Sequence, residues 1–246
     1  MAFELKMTVA AHDIDTNCFA TPTSVIKYMM ETVDRNMLSC GPTYQELMAK
    51  GLSFVVSRSA VEVLRPIKEY EELTVSTWAT DSKNVSFPRS YVIKSGDETV
   101  AKGLSIWALI DTNNGKLVRG SEFSVDSYGL GEEIELSFSH RFKLPSDLSL
   151  ELCGEKLIRY SDVDRNFHMN NTKYFDMLFD FIPDREKIYM SSCIVNYIGE
   201  APLGSTLNIY MSKPEIDENG ETCYYFKTEI DGKTNIQAKV GVRYII

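Results

Sequence analysis

The sequence predicts an α+β fold made of two tandem copies of one unit, each an antiparallel sheet wrapped around a central helix. Three observations lead there. "DIDTNCF" from Asp13 returns as "DVDRNFH" from Asp162, so Asp13, Asp15 and Asn17 match Asp162, Asp164 and Asn166 at an offset of 149. Thr23 meets Thr172 at the same offset, whereas Pro66 meets Pro202 and Gly96 meets Gly232 at an offset of 136. After each polar turn comes a helix-spaced apolar stretch. Runs rich in Val, Ile, Tyr and Thr follow, divided by Gly, Asp, Asn and Pro, the pattern of successive strands joined by short turns. The change of offset puts 13 extra residues into the first copy, and residues 40–52, "CGPTYQELMAKGL", are their expected place.

Each copy opens on a short strand, Phe3 to Ala10 and Lys156 to Tyr160. The first helix is expected to start at Thr21 as N-cap, with Pro22 at the first helical position, where its missing N–H costs nothing. Val25, Ile26, Met29, Met30 and Val33 then recur at helical spacing. The second helix is expected after Asn171, through Tyr174, Phe175, Leu178, Phe179 and Ile182, until Pro183 stops it. Its apolar residues spread around the circumference, which predicts neighbours on several sides. Strands follow at Ser53–Leu64, Leu73–Ala79, Ser90–Lys94 and Val100–Ile110, then at Cys193–Ile198, Thr206–Met211, Cys223–Glu229 and Ile236–Ile246. The stretch between the copies, from Gly120 to Asp147, shows no period and reads as a linker crossing the surface.

Composition narrows the function. A chain of 246 residues, 43% hydrophobic and 25% charged, has the make-up of a soluble globular protein with ample core. A net charge of −9 argues against a nucleic-acid binder, which needs a basic face for phosphates. No apolar run of membrane-spanning length and no secretory leader is found, so a cytoplasmic protein without a membrane span is expected. Cys18, Cys40, Cys153, Cys193 and Cys223 are odd in number and scattered, the pattern of reduced thiols.

The chemistry-bearing residues crowd into "DVDRNFHMNNTKYFDML", residues 162–178. Asp162, Asp164 and Asn166 imitate the start of an EF-hand loop. That loop needs Gly sixth and Glu twelfth, and here those positions hold Phe167 and Lys173. His168 has no His or Cys partner at zinc spacing, and no GxSxG elbow exists. Capping the second helix accounts for Asn171 but not for the whole cluster, because a helix start offers about four free N–H groups. The first copy carries Phe19 opposite His168, Thr21 and Pro22 opposite Asn170 and Asn171, and, at the later offset, Leu64 opposite Glu200. One polar and one apolar centre predict a single active site, in the second copy.

"DVDRNFHMNNTKYFDMLFDFIP" resembles the core motif of the acyl-acyl-carrier-protein thioesterases, in which Asp-x-Asn-x-His-x-Asn-Asn precedes a helix ending in Pro. "GLSIWALIDTNNGKLVR" resembles the family's strand at the end of its first domain, so the likeness runs through most of the chain. The resemblance implies two hotdog domains: residues 1–120 holding the acyl-chain pocket, a linker at 121–150, and a catalytic domain at 151–246. It assigns Asp164, Asn166, His168 and Glu200 to catalysis. Many plant members carry Cys after the glutamate; this chain has Ala201, so the resemblance favours attack by water over attack by a thiol. Glu200 would deprotonate that water with His168 assisting, and both remain candidates for taking the proton. Asn166, or a backbone N–H at the helix start, would polarise the carbonyl, and Asp164 would orient His168 or Asn166. Met29, Met30 and Val33 are the expected tunnel lining, with Asn171 beside the substrate. No metal and no cofactor are implied. The implied partner is acyl carrier protein, with Arg58, Arg65, Lys68, Arg89 and Lys102 as candidate docking cations; a homodimer is left open. An acyl-CoA thioesterase and a non-catalytic acyl-thioester-binding protein are the alternatives.

Overall fold

Alternation makes the first strand. Phe3, Leu5 and Met7 turn inward and Glu4, Lys6 and Thr8 outward along β1 (Phe3–Thr8), as a half-buried edge requires. The computed structural model describes residues 2–245, which form two compact units. The first takes residues up to Ala20 together with Ser24–Phe138. After β1 come α1 (Pro22–Cys40), α2 (Tyr44–Ala49), β2 (Leu52–Val63), β3 (Glu72–Ala79), β4 (Phe87–Ser95), β5 (Glu98–Asp111) and the short β6 (Lys116–Leu117). Their antiparallel order is β1-β3-β4-β5-β2, with β6 on β5. α1 turns Val25, Ile26, Met29 and Val33 inward and leaves Lys27, Glu31, Asp34 and Arg35 in solvent. Met29 lies across β5 at Gly103, where any Cβ would stand 2.7 Å from its sulfur.

The second unit, Thr21–Thr23 with Ser139 onward, repeats the plan. Its elements are β7 (Glu151–Leu157), α3 (Lys173–Phe179), β8 (Ile188–Tyr197), β9 (Thr206–Met211), β10 (Glu215–Ile216), β11 (Thr222–Ile230) and β12 (Lys233–Tyr244). Their order is β7-β9-β11-β12-β8, with β10 on β11. Strand for strand this is the order of the first unit. Tyr174, Phe175, Met177 and Leu178 are all buried, as expected of a helix with apolar residues around its circumference. Each such side chain contributes about 1.5–3 kcal/mol through burial.

Several expectations need correction. The last residue of the final expected strand, Ile246, lies outside the described residues. β7 begins at Glu151, five residues before the expected Lys156. It is an edge strand with a register shift between Leu152 and Gly154 and little inward apolar surface, so periodicity is silent there. The stretch read as a surface linker is partly core: Val125 and Tyr128 are buried with Ala79, Phe87 and Leu109, against Phe54, Trp107 and Phe123. The Trp78 indole N–H donates to Glu132 O at 2.7 Å and fixes the following residues as well. α2 occupies the expected insertion, its start closed by a capping box between Thr43 and Glu46.

The backbone hydrogen bonds also correct the alignment of the copies. Ala20 N–H binds Ile67 O at 2.8 Å, as Met169 N–H binds Ala201 O at 2.8 Å. Phe19 bridges to Lys68 where His168 bridges to Pro202. Ile67 and Lys68 therefore match Ala201 and Pro202, an offset of 134, and the residue opposite Glu200 is Pro66 and not Leu64. Two prolines of like sequence surroundings occupy positions two residues apart. The contrast survives the correction, since both residues are uncharged.

Candidate active site

The polar turn is built the same way in both copies. Asp15 N–H binds Phe19 O at 2.8 Å and Cys18 N–H binds Asp15 O at 3.1 Å; Asp164 N–H binds His168 O at 3.0 Å and Phe167 N–H binds Asp164 O at 3.1 Å. The first carboxylate oxygen of Asp15 accepts the Asn17 N–H at 2.8 Å, and that of Asp164 accepts the Asn166 N–H at 2.8 Å. Such a turn needs one residue in the left-handed region, and Cys18 and Phe167 both supply it at φ 61°. For a residue with a Cβ this costs on the order of 1–3 kcal/mol. Because both copies bear that cost, it belongs to the turn and not to the chemistry.

Asp162 secures the entry to the turn. It accepts the Arg159 N–H at 2.9 Å and pairs with Lys156 Nζ at 3.0 Å, while its carbonyl accepts the Asn170 N–H at 2.9 Å. Burial would raise its carboxyl, but the Arg159 N–H and the Lys156 ammonium outweigh that and hold it below the usual carboxylate range. The exit is secured by Asn170, whose Oδ1 accepts both the N–H and the hydroxyl of Thr172, at 3.0 and 2.8 Å. Thr172 occupies the N-cap position of α3 without a side-chain cap of its own. Asn171 was expected at that cap. It sits one residue earlier, and what it gives is its carbonyl, which accepts the Tyr197 hydroxyl at 3.0 Å. The side chain that acts next to the helix start is that of Asn170, and it holds the N–H of the N-cap residue Thr172 itself.

Main-chain bonds of the turn pull the β8–β9 loop against it. Met169 N–H binds Ala201 O, and Leu203 N–H binds Phe167 O at 2.9 Å. This clamp sets His168 Nε2 3.3 Å from Glu200 Oε2, with the histidine side chain 34% and the glutamate 76% exposed. A carboxylate and an imidazole in contact, both reached by solvent, can hold a water and take its proton. Ala201 beside them is 2% exposed and offers no nucleophile. All five cysteines are free, Cys193 and Cys223 buried.

Of the residues singled out in the sequence, His168 and Glu200 are brought together. Asp164 and Asn166 are tied to them through the main chain. Asp164 acts on backbone N–H groups, and Asn166 is exposed on the same turn. Met29, Met30 and Val33 lie on α1 of the first unit, Met29 and Val33 buried and Met30 half-buried. Three of the five candidate docking cations are engaged within the fold. Arg89 is buried, bonded to Asn36 and to Thr77 Oγ1, and therefore cannot dock a partner. Arg65 is occupied by Glu71 at 2.6 Å and Glu98 at 2.9 Å. Lys102 Nζ donates to Glu135 O at 3.2 Å. Among the described residues, no helix is long and apolar enough to cross a membrane, and no three His, Cys, Asp or Glu side chains are gathered to hold a metal.

Comparison with known proteins agrees with this organisation. Residues 1–128 match the family model of the acyl-ACP thioesterase N-terminal domain, and residues 153–243 that of the acyl-ACP thioesterase C-terminal domain. An oleoyl-acyl carrier protein thioesterase of Coriandrum sativum chloroplasts is 22% identical over 243 residues, 89% of this chain and 64% of that protein. The chain thus spans somewhat less than two thirds of that relative's length. An acyl-ACP thioesterase from Bacteroides thetaiotaomicron superposes with a TM-score of 0.82 at 19% identity, over 98% of each chain. The 12:0-ACP thioesterase from Umbellularia californica superposes with a TM-score of 0.76 at 20% identity, over 99% of this chain and 98% of that one. The shared fold is the double hotdog.

Proposed function

Since the chain belongs to the acyl-ACP thioesterase family, we propose that it hydrolyses the thioester of a fatty acyl-acyl-carrier protein in the cytoplasm, releasing the free fatty acid and the carrier thiol. The observation that carries the reading is the contact of His168 Nε2 with Glu200 Oε2 at 3.3 Å beside an alanine. With no thiol at position 201, the attacking group is water. Glu200 takes its proton as the oxygen bonds to the thioester carbon, and His168 positions the water through the contact it shares with Glu200. Such a base contributes about 10²–10⁴-fold. The Asn166 carboxamide donates to the carbonyl oxygen as charge develops there, and one such donor is worth about 3–4 kcal/mol. The C–S bond then breaks, and the leaving thiolate takes up the proton. Asp164 contributes by holding the turn that carries Asn166 and His168.

Met29, Met30 and Val33 on α1 are assigned to the lining of the acyl chain, and Asn171 to the substrate beside the polar turn. Methionine suits such a wall because its flexible thioether adapts to ligands of several shapes. The test is thiol release from a panel of acyl-carrier-protein thioesters beside the matching acyl-CoA compounds, for the wild type and His168→Ala. Release from carrier protein, lost in the variant, is expected. Equal release from CoA moves the substrate class, and release unchanged in a folded His168→Ala protein rejects the site. No release from either substrate leaves an acyl-binding protein.

A further inference from the structure

Behind Glu200 lies a buried polar junction that the mechanism above does not use. Asn235, on β12, is 1% exposed. Its carbonyl accepts the N–H groups of Ile198 and Gly199 at 2.8 and 2.9 Å. Its side-chain N–H donates to Gly199 O at 2.6 Å, and its Oδ1 accepts the hydroxyls of Tyr174 on α3 and Thr228 on β11, at 3.0 and 2.9 Å. The orientation of the amide is determined by chemistry. Gly199 O can only accept, so nitrogen must face it, and the two hydroxyls are left for the oxygen. Thr228 Oγ1 meanwhile accepts the Ile236 N–H at 3.3 Å, which leaves its proton for Asn235. Burial pushes the Tyr174 hydroxyl up to about 12, so it keeps its proton at working pH. Gly199 precedes Glu200. A Cβ there would stand 3.1 Å from Thr234 O, so any larger residue would crowd the strand.

The first unit serves as an internal control. In the hairpin of β4 and β5, Ile93 pairs with Ala101 just before a register shift; in that of β11 and β12, Thr228 pairs with Ile236 just before one. Ile93 and Val100 are therefore the counterparts of Thr228 and Asn235. The Leu64 N–H bond to Val100 O, 2.9 Å, repeats the bond of Ile198 to Asn235. Tyr174 matches Val25 at the offset that relates the two turns. Val25, Ile93 and Val100 are 2%, 0% and 0% exposed. One architecture thus closes this place with hydrocarbon in one copy and with three polar groups joined through Asn235 in the other. Buried polar groups are kept only when each is bonded, and this fold demonstrably needs none of them here.

We infer that Asn235 is a positioning residue for Glu200, holding the Gly199–Glu200 peptide in place so that the carboxylate meets His168, with Tyr174 and Thr228 fixing its amide. The inference rests on the reading of Glu200 as the base and adds the residue that aims it. A misaimed base loses rate without losing substrate. The experiment measures carrier-protein thiol release and thermal stability for the wild type, Glu200→Gln, Asn235→Val and the triple variant Tyr174→Val, Thr228→Ile, Asn235→Val, which installs the first copy's residues. Expected for Asn235→Val is a kcat about 10–100-fold lower with KM within about twofold of the wild type. The triple variant should regain stability lost in the single one while its kcat stays low. Asn235→Val or the triple variant working within about threefold of the wild type, beside an inactive Glu200→Gln, overturns the positioning role alone. A triple variant that cannot fold overturns it too, since the trio would then be structural. A fully active Glu200→Gln would sink the base and its aiming residue together.

Discussion

Replacing Glu200 by Gln should separate activity from stability more sharply than any other single change. The carboxylate is 76% exposed and touches His168 across 3.3 Å at the surface. In that setting water screens the pair, and its contribution to folding is about 0–1 kcal/mol. Glutamine keeps the shape and a polar end, so the melting temperature should move by no more than a few degrees. Activity answers to a different quantity. A lost base costs about 10²–10⁴ in kcat, equivalent to about 2.7–5.4 kcal/mol of transition-state stabilisation. Because His168 and Glu200 are in contact, they should act as a unit. The double variant Glu200→Gln, His168→Gln should be scarcely slower than the worse single one, where independent groups would multiply. The assay is single-turnover release of carrier thiol from one acyl-carrier-protein substrate, with calorimetry on the same samples. A Glu200→Gln enzyme within about threefold of the wild type, or multiplicative losses in the double variant, would refute the reasoning.

Other expectations concern the frame of the site and the first unit. Asn170→Ala removes the acceptor of the Thr172 N–H and hydroxyl and should cost about 1–2 kcal/mol in chemical denaturation, whereas Asn171→Ala should cost under about 0.5. Burial works against Glu71, but the Arg65 guanidinium, with Ser95 and the Lys68 N–H, holds its carboxyl down to about 2. Its folded pKa thus lies below the unfolded one, so its stabilisation is complete above about pH 4.5 and fades as pH falls toward 2. A Glu71→Gln variant should be less stable by about 2–3 kcal/mol at pH 7 and by much less at pH 2.5, read from denaturation midpoints. Met29→Ala empties a buried site on α1 and should cost about 2–5 kcal/mol. If Met29 also limits the tunnel, the same variant should shift the preferred acyl chain toward greater length, read from the substrate panel; an unchanged preference confines it to the core.

How much of this was legible in the residues depended on which physical constraint each residue answers to. The turn at Asp164 to His168 was legible because it is local. Its hydrogen bonds run between residues two to four apart, so its pattern recurs intact in both copies, down to the left-handed Cys18 and Phe167. The strands were legible wherever burial imposes a period, and β7 was not, because an edge with little inward surface imposes none. The second anchor of the alignment misled for a reason that applies to prolines generally. Pro66 and Pro202 are alike as residues, but proline marks a loop and does not mark a register, and the register lies in the bonds from Ala20 and Met169. That slip of two residues shrinks to one by the hairpins, where Thr228 and Asn235 match Ile93 and Val100. At the offset of 136 they fell instead opposite Val92 and Thr99, and Asn235 opposite Thr99 shows no polar contrast at all. The comparison that isolated His168 against Phe19 would have isolated Asn235 against Val100 had the register been known. In a duplicated chain the idle copy reports what the fold requires, and a buried polar residue absent from it is therefore evidence for the site.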